Sequence, residues 1–414
     1  MFSSLVIAAV MNPFISPVKV EVRDVNGQYT LYRNGQPYFV NGVGGHKMFP
    51  VLQELGANSV RTWGADNLGS MLDEAHKHNI SVTVGIWMNH DLDWSNESQV
   101  NDMMERARKA VMDYRSHPAV LMWAIGNEMD LANNGENDKM WEALQAIAVE
   151  IRRLDPSRPR MVVTADIGGG RIPGFNKFLS AVDIHGVNTY GGAVSLNERY
   201  RRAGGKKPVI LTEFGPNGVW EIGDANKTPW GAAIEATSTA KEEMYRKSYE
   251  GAVIGMKGLS LGSYAFLWGN KQETTNTWFG MLLADGTRTG SVDVMSQFWT
   301  GRRPKNVSPR IGTIEMVGGN DRRAGEQIQV RLNVSDPDGD TLTAEWEIQS
   351  DDVKLLTAGK DEQVMPRYNQ YLRQGDTSGT TLQAPTKPGI YRIFVYIRDG
   401  KGSGATANIP FRVQ

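Results

Sequence analysis

Between residues 38 and 300 the chain repeats one unit, a short apolar run followed by a longer segment with apolar residues at helical spacing. No other feature of the sequence constrains the fold as strongly. Short buried runs that alternate with amphipathic helices form parallel strands joined by crossover helices. The runs fall at 39–43, 59–63, 81–87, 120–125, 160–164, 183–188, 208–212 and 263–268. The clearest helical segments are 67–78, 97–116, 138–154 and 235–256, the third closed by Pro156. Eight such units over about 260 residues predict a (β/α)8 barrel. An open, doubly wound sheet is the alternative. No G-x-G-x-x-G follows the first run and no loop has the P-loop pattern, so nucleotide binding loses its support.

The flanks read differently. Residues 18–38 carry short alternating strands around an Asn34-Gly35 turn, and they are grouped with the barrel as one unit, 18–302. Residues 309–414 alternate with period two, as in Ile328-Val330-Leu332-Val334 and Tyr391-Ile393-Val395-Ile397. This predicts a small all-β, immunoglobulin-like sandwich behind the α/β barrel. The turn Asp336-Pro337-Asp338-Gly339-Asp340 could bind calcium, but it lacks the later bidentate glutamate of an EF-hand loop, so a plain turn is expected. Residues 1–17 contain an apolar run at 5–10, with no Lys or Arg before Lys19. A shortened secretory signal and an N-terminal extension both fit.

Composition excludes several function classes. The chain has 45 basic and 46 acidic residues, so no global field recruits nucleic acid or anionic lipid. It has no cysteine, which removes disulfides, thiolate catalysis and iron–sulfur clusters. No His/Asp/Glu spacing suits a catalytic metal, so no metal and no cofactor is expected. No run is long enough for a membrane span, and a monomer is expected.

A barrel of this kind places its site at the C-terminal ends of its strands. Those ends carry His46, Arg61, Trp63, Trp87, His90, Asn127, Glu128, Asn188, Tyr190, Glu213 and Trp268. Glu128 follows the fourth run and Glu213 the seventh, so only the fold can bring them together. Two carboxylates across a glycosidic bond are the minimum set for its hydrolysis, one to protonate the leaving oxygen and one to attack carbon or activate water. Trp94, Trp220, Trp230 and Trp278 lie in predicted loops and suggest a long sugar-binding cleft.

The segment 117–128, ending Gly126-Asn127-Glu128, resembles the acid/base segment of the glycoside hydrolase family 2 barrel. The segment 208–215, ending Thr212-Glu213-Phe214-Gly215, resembles that family's nucleophile segment, and 39–43 and 55–62 resemble its first two strands. The resemblance implies a retaining mechanism with Glu128 as acid/base and Glu213 as nucleophile. It implies that Asn127 binds the sugar 2-hydroxyl, that Tyr190 and Arg61 hold Glu213, and that Trp268 floors the subsite on the non-reducing side of the bond. Asn188, Trp87 and His46 complete the expected substrate contacts. Family 2 enzymes place two β domains before the barrel, whereas here the sandwich follows it. That order resembles smaller glucanases, including endo-β-1,3-glucanases with a trailing immunoglobulin-like domain. The reading is therefore a retaining β-glycoside hydrolase acting on a polysaccharide or oligosaccharide, with β-1,3-glucan as the first guess and export, to the periplasm or medium, expected from such a substrate. A transglycosylase with the same residues and a non-catalytic carbohydrate-binding protein are the alternatives.

Overall fold

The computed structural model describes residues 18–351 and 362–414; the apolar run at 5–10 lies outside them. Three antiparallel strands come first, β1 (Val20–Val25), β2 (Gln28–Arg33) and β3 (Gln36–Tyr38). Eight parallel strands then close into a barrel: β4 (Val40–Gly44), β5 (Ser59–Arg61), β6 (Ser81–Ile86), β7 (Val120–Ile125), β8 (Arg160–Ala165), β9 (Ile184–Asn188), β10 (Val209–Glu213) and β11 (Ser260–Ala265). The helices are α1 (Phe49–Glu54), α2 (Gly69–Lys77), α3 (Glu97–Tyr114), α4 (Asp138–Leu154), α5 (Arg171–Phe178), α6 (Leu196–Arg202), α7 (Ser238–Tyr249) and α8 (Gly290–Thr300). None of the helices among the described residues is long and apolar enough to cross a membrane.

Local chemistry explains these elements. All six residues of β7 are buried, because its neighbours cover it on both faces. Helix α4 buries Met140, Leu144, Ile147 and Ile151, spaced three or four apart, and exposes the opposite face. Asn137 caps it by accepting from the Met140 N–H, and Arg152 and Arg153 lie against the negative end of its dipole.

The predicted eighth run is displaced. The strand spans Ser260–Ala265, three residues earlier than the 263–268 expected from apolarity. Ser260, Gly262 and Ser263 are small because the barrel is tight there. A Cβ on Gly262, at φ +125°, would lie 2.2 Å from the Val40 carbonyl oxygen. Tyr264 then fills the barrel interior over Gly42, and its hydroxyl bonds Ser59 and Thr83.

The β1–β3 sheet covers the N-terminal mouth of the barrel. Val20 N–H donates to Ser157 O (2.8 Å) and Tyr29 N–H to Gly258 O (2.8 Å), while Tyr38 Oη donates to Asn58 O (2.7 Å). Those acceptors lie in the loops entering β8, β11 and β5. Val18, Val20 and Leu31 pack with Leu121, Met161, Ile184 and Ile210 inside the barrel. The opposite mouth is left for the site.

After α8 come two four-stranded sheets. One has the order β12 (Arg310–Met316), β14 (Gln327–Ser335), β17 (Gly379–Gln383), β16 (Leu372–Asp376); the other has the order β13 (Asp321–Arg322), β19 (Gly404–Val413), β18 (Gly389–Arg398), β15 (Thr343–Ser350). The alternation of β14 places Ile328, Val330 and Leu332 inside a separate core. The sandwich packs on α7, where Thr406 N–H donates to Ser238 Oγ (2.9 Å) and Ile311 N–H to Thr239 Oγ1 (2.9 Å). Asp336, Asp340 and Asp399 converge within 4.8 Å at one end of the sandwich, with Lys401 Nζ on Asp340.

Candidate active site

Strand ends set the site. Arg61 is the last residue of β5, Asn188 of β9 and Glu213 of β10, while Asn127 and Glu128 follow β7 directly. Glu128 stands at φ 55°, a left-handed conformation that costs a non-glycine residue about 1–2 kcal/mol. Its N–H donates to Val163 O (3.0 Å), and the preceding Gly126 N–H donates to Ile86 O (3.1 Å). The sharp turn delivers the side chain into the mouth of the barrel.

Glu213 accepts three donors. Arg61 Nη1 (3.0 Å) and Trp63 Nε1 (2.8 Å) reach Oε1, and Tyr190 Oη (2.9 Å) reaches Oε2. Arg61 is fully buried, and its fork also reaches Thr212 O (2.9 Å) and Asn127 Oδ1 (2.7 Å). A guanidinium only donates, so the atom of Asn127 that faces Arg61 is its oxygen and its amide NH2 is the group left to face the cleft. Asn188 accepts from Thr212 Oγ1 (2.8 Å) and donates from Nδ2 to Glu128 Oε1 (2.8 Å) and Asn127 Oδ1 (3.1 Å). His90 Nε2 donates to Asn127 O (2.7 Å). One network therefore orients both carboxyl groups.

The two carboxyls differ in their surroundings. Burial pushes Glu128 up to about 8, and the negative charge of Glu213 adds to the rise. Glu128 is thus a protonated acid near neutral pH, beside a second carboxylate tied to a guanidinium. Burial and the adjacent carboxylates also hold Tyr190 well above the usual phenol range, so it stays a donor.

These groups line a cleft of about 740 Å³. Trp87 is 42% exposed on its rim, in edge contact with His90 at 5.4 Å between ring centroids. Of the expected contacts, Asn127, Asn188, Tyr190 and Trp87 line the cleft and Arg61 lies beneath it. Two do not. Trp268 is 2% exposed, packs in the core between barrel and helices, and donates its indole N–H to Lys47 O (2.7 Å). The displaced strand is the reason: the residue leaving β11 toward the cleft is Phe266, which stands edge-on to Trp63 and Tyr190 at 5.9 Å from each. His46 is exposed and stands outside the cleft lining. Among the four loop tryptophans only Trp220, 51% exposed, lines the cleft. Trp94 and Trp278 are buried, and Trp230 packs under Arg412 in the sandwich.

The cleft also uses residues to which the sequence assigned no contact. Trp63 lies two residues beyond Arg61, so period-two alternation points both inward, a signal that was available. Asp166, Glu221, Asn270, Lys271 and Glu273 come from loops, where periodicity carries no information.

Residues 46–247 match the family described as glycosyl hydrolases family 2, TIM barrel domain. The matched stretch lies within the barrel, from the loop after β4 to α7, and holds both Glu128 and Glu213. Similar curated proteins include a β-glucuronidase of Pongo abelii, 28% identical over 218 residues, covering 44% of this chain and 31% of that protein. A β-galactosidase of Leuconostoc mesenteroides is 23% identical over 239 residues, covering 50% of this chain and 21% of that protein. The chain thus spans a third or less of the length of these relatives. Among solved structures, Bacteroides uniformis β-glucuronidase 2 aligns with a TM-score of 0.53 at 16% identity, over 95% of this chain and 48% of that one. A family 2 β-galacturonidase from Eisenbergiella tayi aligns with a TM-score of 0.54 at 17% identity, over 69% of this chain and 55% of that one. At such identities these two likenesses speak to the fold.

Proposed function

We propose that this chain is a retaining β-glycoside hydrolase. The observation that carries the reading is the pairing in one cleft of Glu128, bonded by Asn188, with a Glu213 held by Arg61, Trp63 and Tyr190. In this reading Glu213 attacks the anomeric carbon and the C1–O bond to the leaving group breaks as Glu128 gives its proton to that oxygen. Asn188 occupies Glu128 Oε1, so Oε2 is the oxygen that carries the proton. With the leaving group gone, Glu128 takes a proton from water, which attacks C1 and releases Glu213. The Asn127 NH2 is placed to bond the sugar 2-hydroxyl. Trp87, against His90 on the rim, stacks on the leaving-group side; Tyr190, Phe266 and the loop after β11 surround the sugar that Glu213 attacks.

The relatives bear the names of enzymes for β-glucuronides, β-galactosides and β-galacturonides, and a β-1,3-glucan is the first guess from the sequence. The test is a panel of aryl β-glycosides of those sugars and of glucose, together with laminarin, β-mannan, xylan and galactan. Turnover of at least one is expected, abolished by Glu213→Ala and reduced by Glu128→Ala. Turnover that survives Glu213→Ala would refute the assignment. Products longer than the substrate would move the reading to transglycosylation, and binding without turnover to a carbohydrate-binding protein.

A further inference from the structure

The loop that follows β11 supplies five residues of the cleft lining: Phe266, Leu267, Asn270, Lys271 and Glu273. It reaches the side of the cleft where Glu213 acts, since the Glu273 charge is felt at Tyr190 and Phe266 touches the Tyr190 ring. Much of what holds this loop comes from the sandwich. Asn270 Nδ2 donates to Asn276 O (2.7 Å), and Asn276 Nδ2 donates to the hydroxyl of Tyr396 on β18 (2.9 Å). Next to Asn276, the hydroxyls of Thr275 (2.5 Å) and Thr277 (2.9 Å) donate to the carboxylate of Glu235. That carboxylate also accepts from Asn408 Nδ2 on β19 (2.6 Å) and from Lys241 Nζ (2.5 Å). Arg392 on β18 ties the set together, donating to Asn408 Oδ1 (2.6 Å), to Asp351 (2.9 Å) and to Ala233 O (2.8 Å).

The network is buried and runs between elements far apart in sequence. Glu235, Lys241, Thr275, Thr277, Arg392 and Asn408 are all shielded from solvent. Burial acts to raise Glu235, but Lys241 and the hydroxyl donors outweigh it, so its carboxyl is held below the ordinary value. A buried ionic network is no efficient source of stability, because apolar packing of the same volume does as well or better. What it does provide is a fixed geometry, here the geometry of a loop that faces the cleft.

We propose that the sandwich sets the substrate selectivity of the barrel: Tyr396 and Asn408 act as positioning residues that hold the loop after β11 so that Asn270 and Lys271 meet the sugar attacked by Glu213. The proposal rests on the hydrolase reading above. On this account the sandwich belongs to the active site, although none of its described residues lines the cleft.

The test uses the full chain and the aryl β-glycoside that the wild type hydrolyses fastest. Tyr396→Phe removes one hydroxyl acceptor and keeps the ring. It and Asn408→Ala are expected to raise KM about 5- to 20-fold, with kcat changed less than about twofold, as loss of a binding contact does. Combined with Lys271→Ala, either is expected to add less than its own effect, because both act through one loop. Leu382→Ala, in the sandwich core away from the loop, controls for stability and should lower Tm without moving KM. Hydrogen exchange gives an independent readout: peptides covering 266–277 should exchange faster in Tyr396→Phe and Asn408→Ala, while those of β7 and β10 stay protected. A KM unmoved in both variants, or one moved equally by Leu382→Ala, would overturn the proposal. A wild type inactive on every glycoside would refute the hydrolase reading instead, and unchanged exchange over 266–277 would then refute the anchoring as well.

Discussion

The two mouths of the barrel are built from the same eight strands and differ in what those strands do at each end. At the N-terminal mouth, Val18, Val20 and Leu31 fill the opening with apolar side chains. Arg158, buried there, is satisfied by the Val120 and His117 carbonyl oxygens and by Asp155, which is buried with it. At the C-terminal mouth, a buried Glu213 shares the site with a half-buried Glu128, which is held in a costly backbone conformation with its proton affinity raised. The first end lowers the free energy of the fold. The second keeps two carboxyls together that the fold alone would separate, as the proposed acid and nucleophile require.

Substitutions at the two mouths should therefore separate activity from stability. The largest effect is expected from Glu213→Gln, with kcat reduced about 10⁴-fold or more and little change in Tm, checked by steady-state kinetics and calorimetry. Glu128→Ala should reduce kcat about 10²- to 10⁴-fold on substrates with poor leaving groups. The loss should be smaller on dinitrophenyl glycosides, whose leaving group departs without a proton.

The Glu128 shift also fixes a pH dependence. The acid must be protonated, so kcat/KM should fall as pH rises through about 8, and Glu128→Gln should abolish that limb. The sign for stability follows from the same shift. The fold favours protonated Glu128, so its contribution is complete below the unfolded value of 4.5 and is lost as pH rises through about 8. Glu128→Gln should then melt higher than the wild type at pH 9, with a smaller gap at pH 5, and equal melting at both would contradict the raised proton affinity of that carboxyl.

At the other mouth, Leu31→Ala should cost about 2–5 kcal/mol of stability in denaturant titrations. Its kcat/KM at 25 °C should match the wild type. A matching loss of activity would mean that the plug shapes the cleft. The smallest effects separate two tryptophans. Trp87→Ala should raise KM about 2- to 10-fold with kcat retained, as loss of one stacking contact does. Trp268→Phe should leave KM unmoved and lower Tm, because its indole bonds Lys47 O inside the core.

The sequence made the eight-strand plan legible because buried strands flanked by helices leave an apolar signal. The fourth run, 120–125, coincides with β7, and placing Glu128 and Glu213 after the fourth and seventh runs brought them to one mouth. The eighth run misled for a physical reason. Ser260, Gly262 and Ser263 serve the tight wall of the barrel, while the apolar stretch beyond them leaves the strand, so apolarity marked 263–268 and promoted Trp268 in place of Phe266. Trp63 was within reach of the alternation rule. The contacts of Glu235 were not, since Asn408 lies 173 residues away and no periodicity pairs a loop with a distant strand. Asn270, Lys271 and Glu273 share that position: loop residues become cleft residues only through long-range contacts.

The account turns on Glu213 as the group that forms a covalent bond to the sugar. The direct measurement is to incubate the protein with 2,4-dinitrophenyl 2-deoxy-2-fluoro-β-glycosides of glucose, galactose, glucuronic acid and galacturonic acid, then to map the labelled peptide by mass spectrometry. The account predicts one sugar per chain on Glu213, formed with at least one of the reagents and absent in Glu213→Gln. A label on any other residue, or no label from the reagent whose parent glycoside the protein hydrolyses, would contradict it.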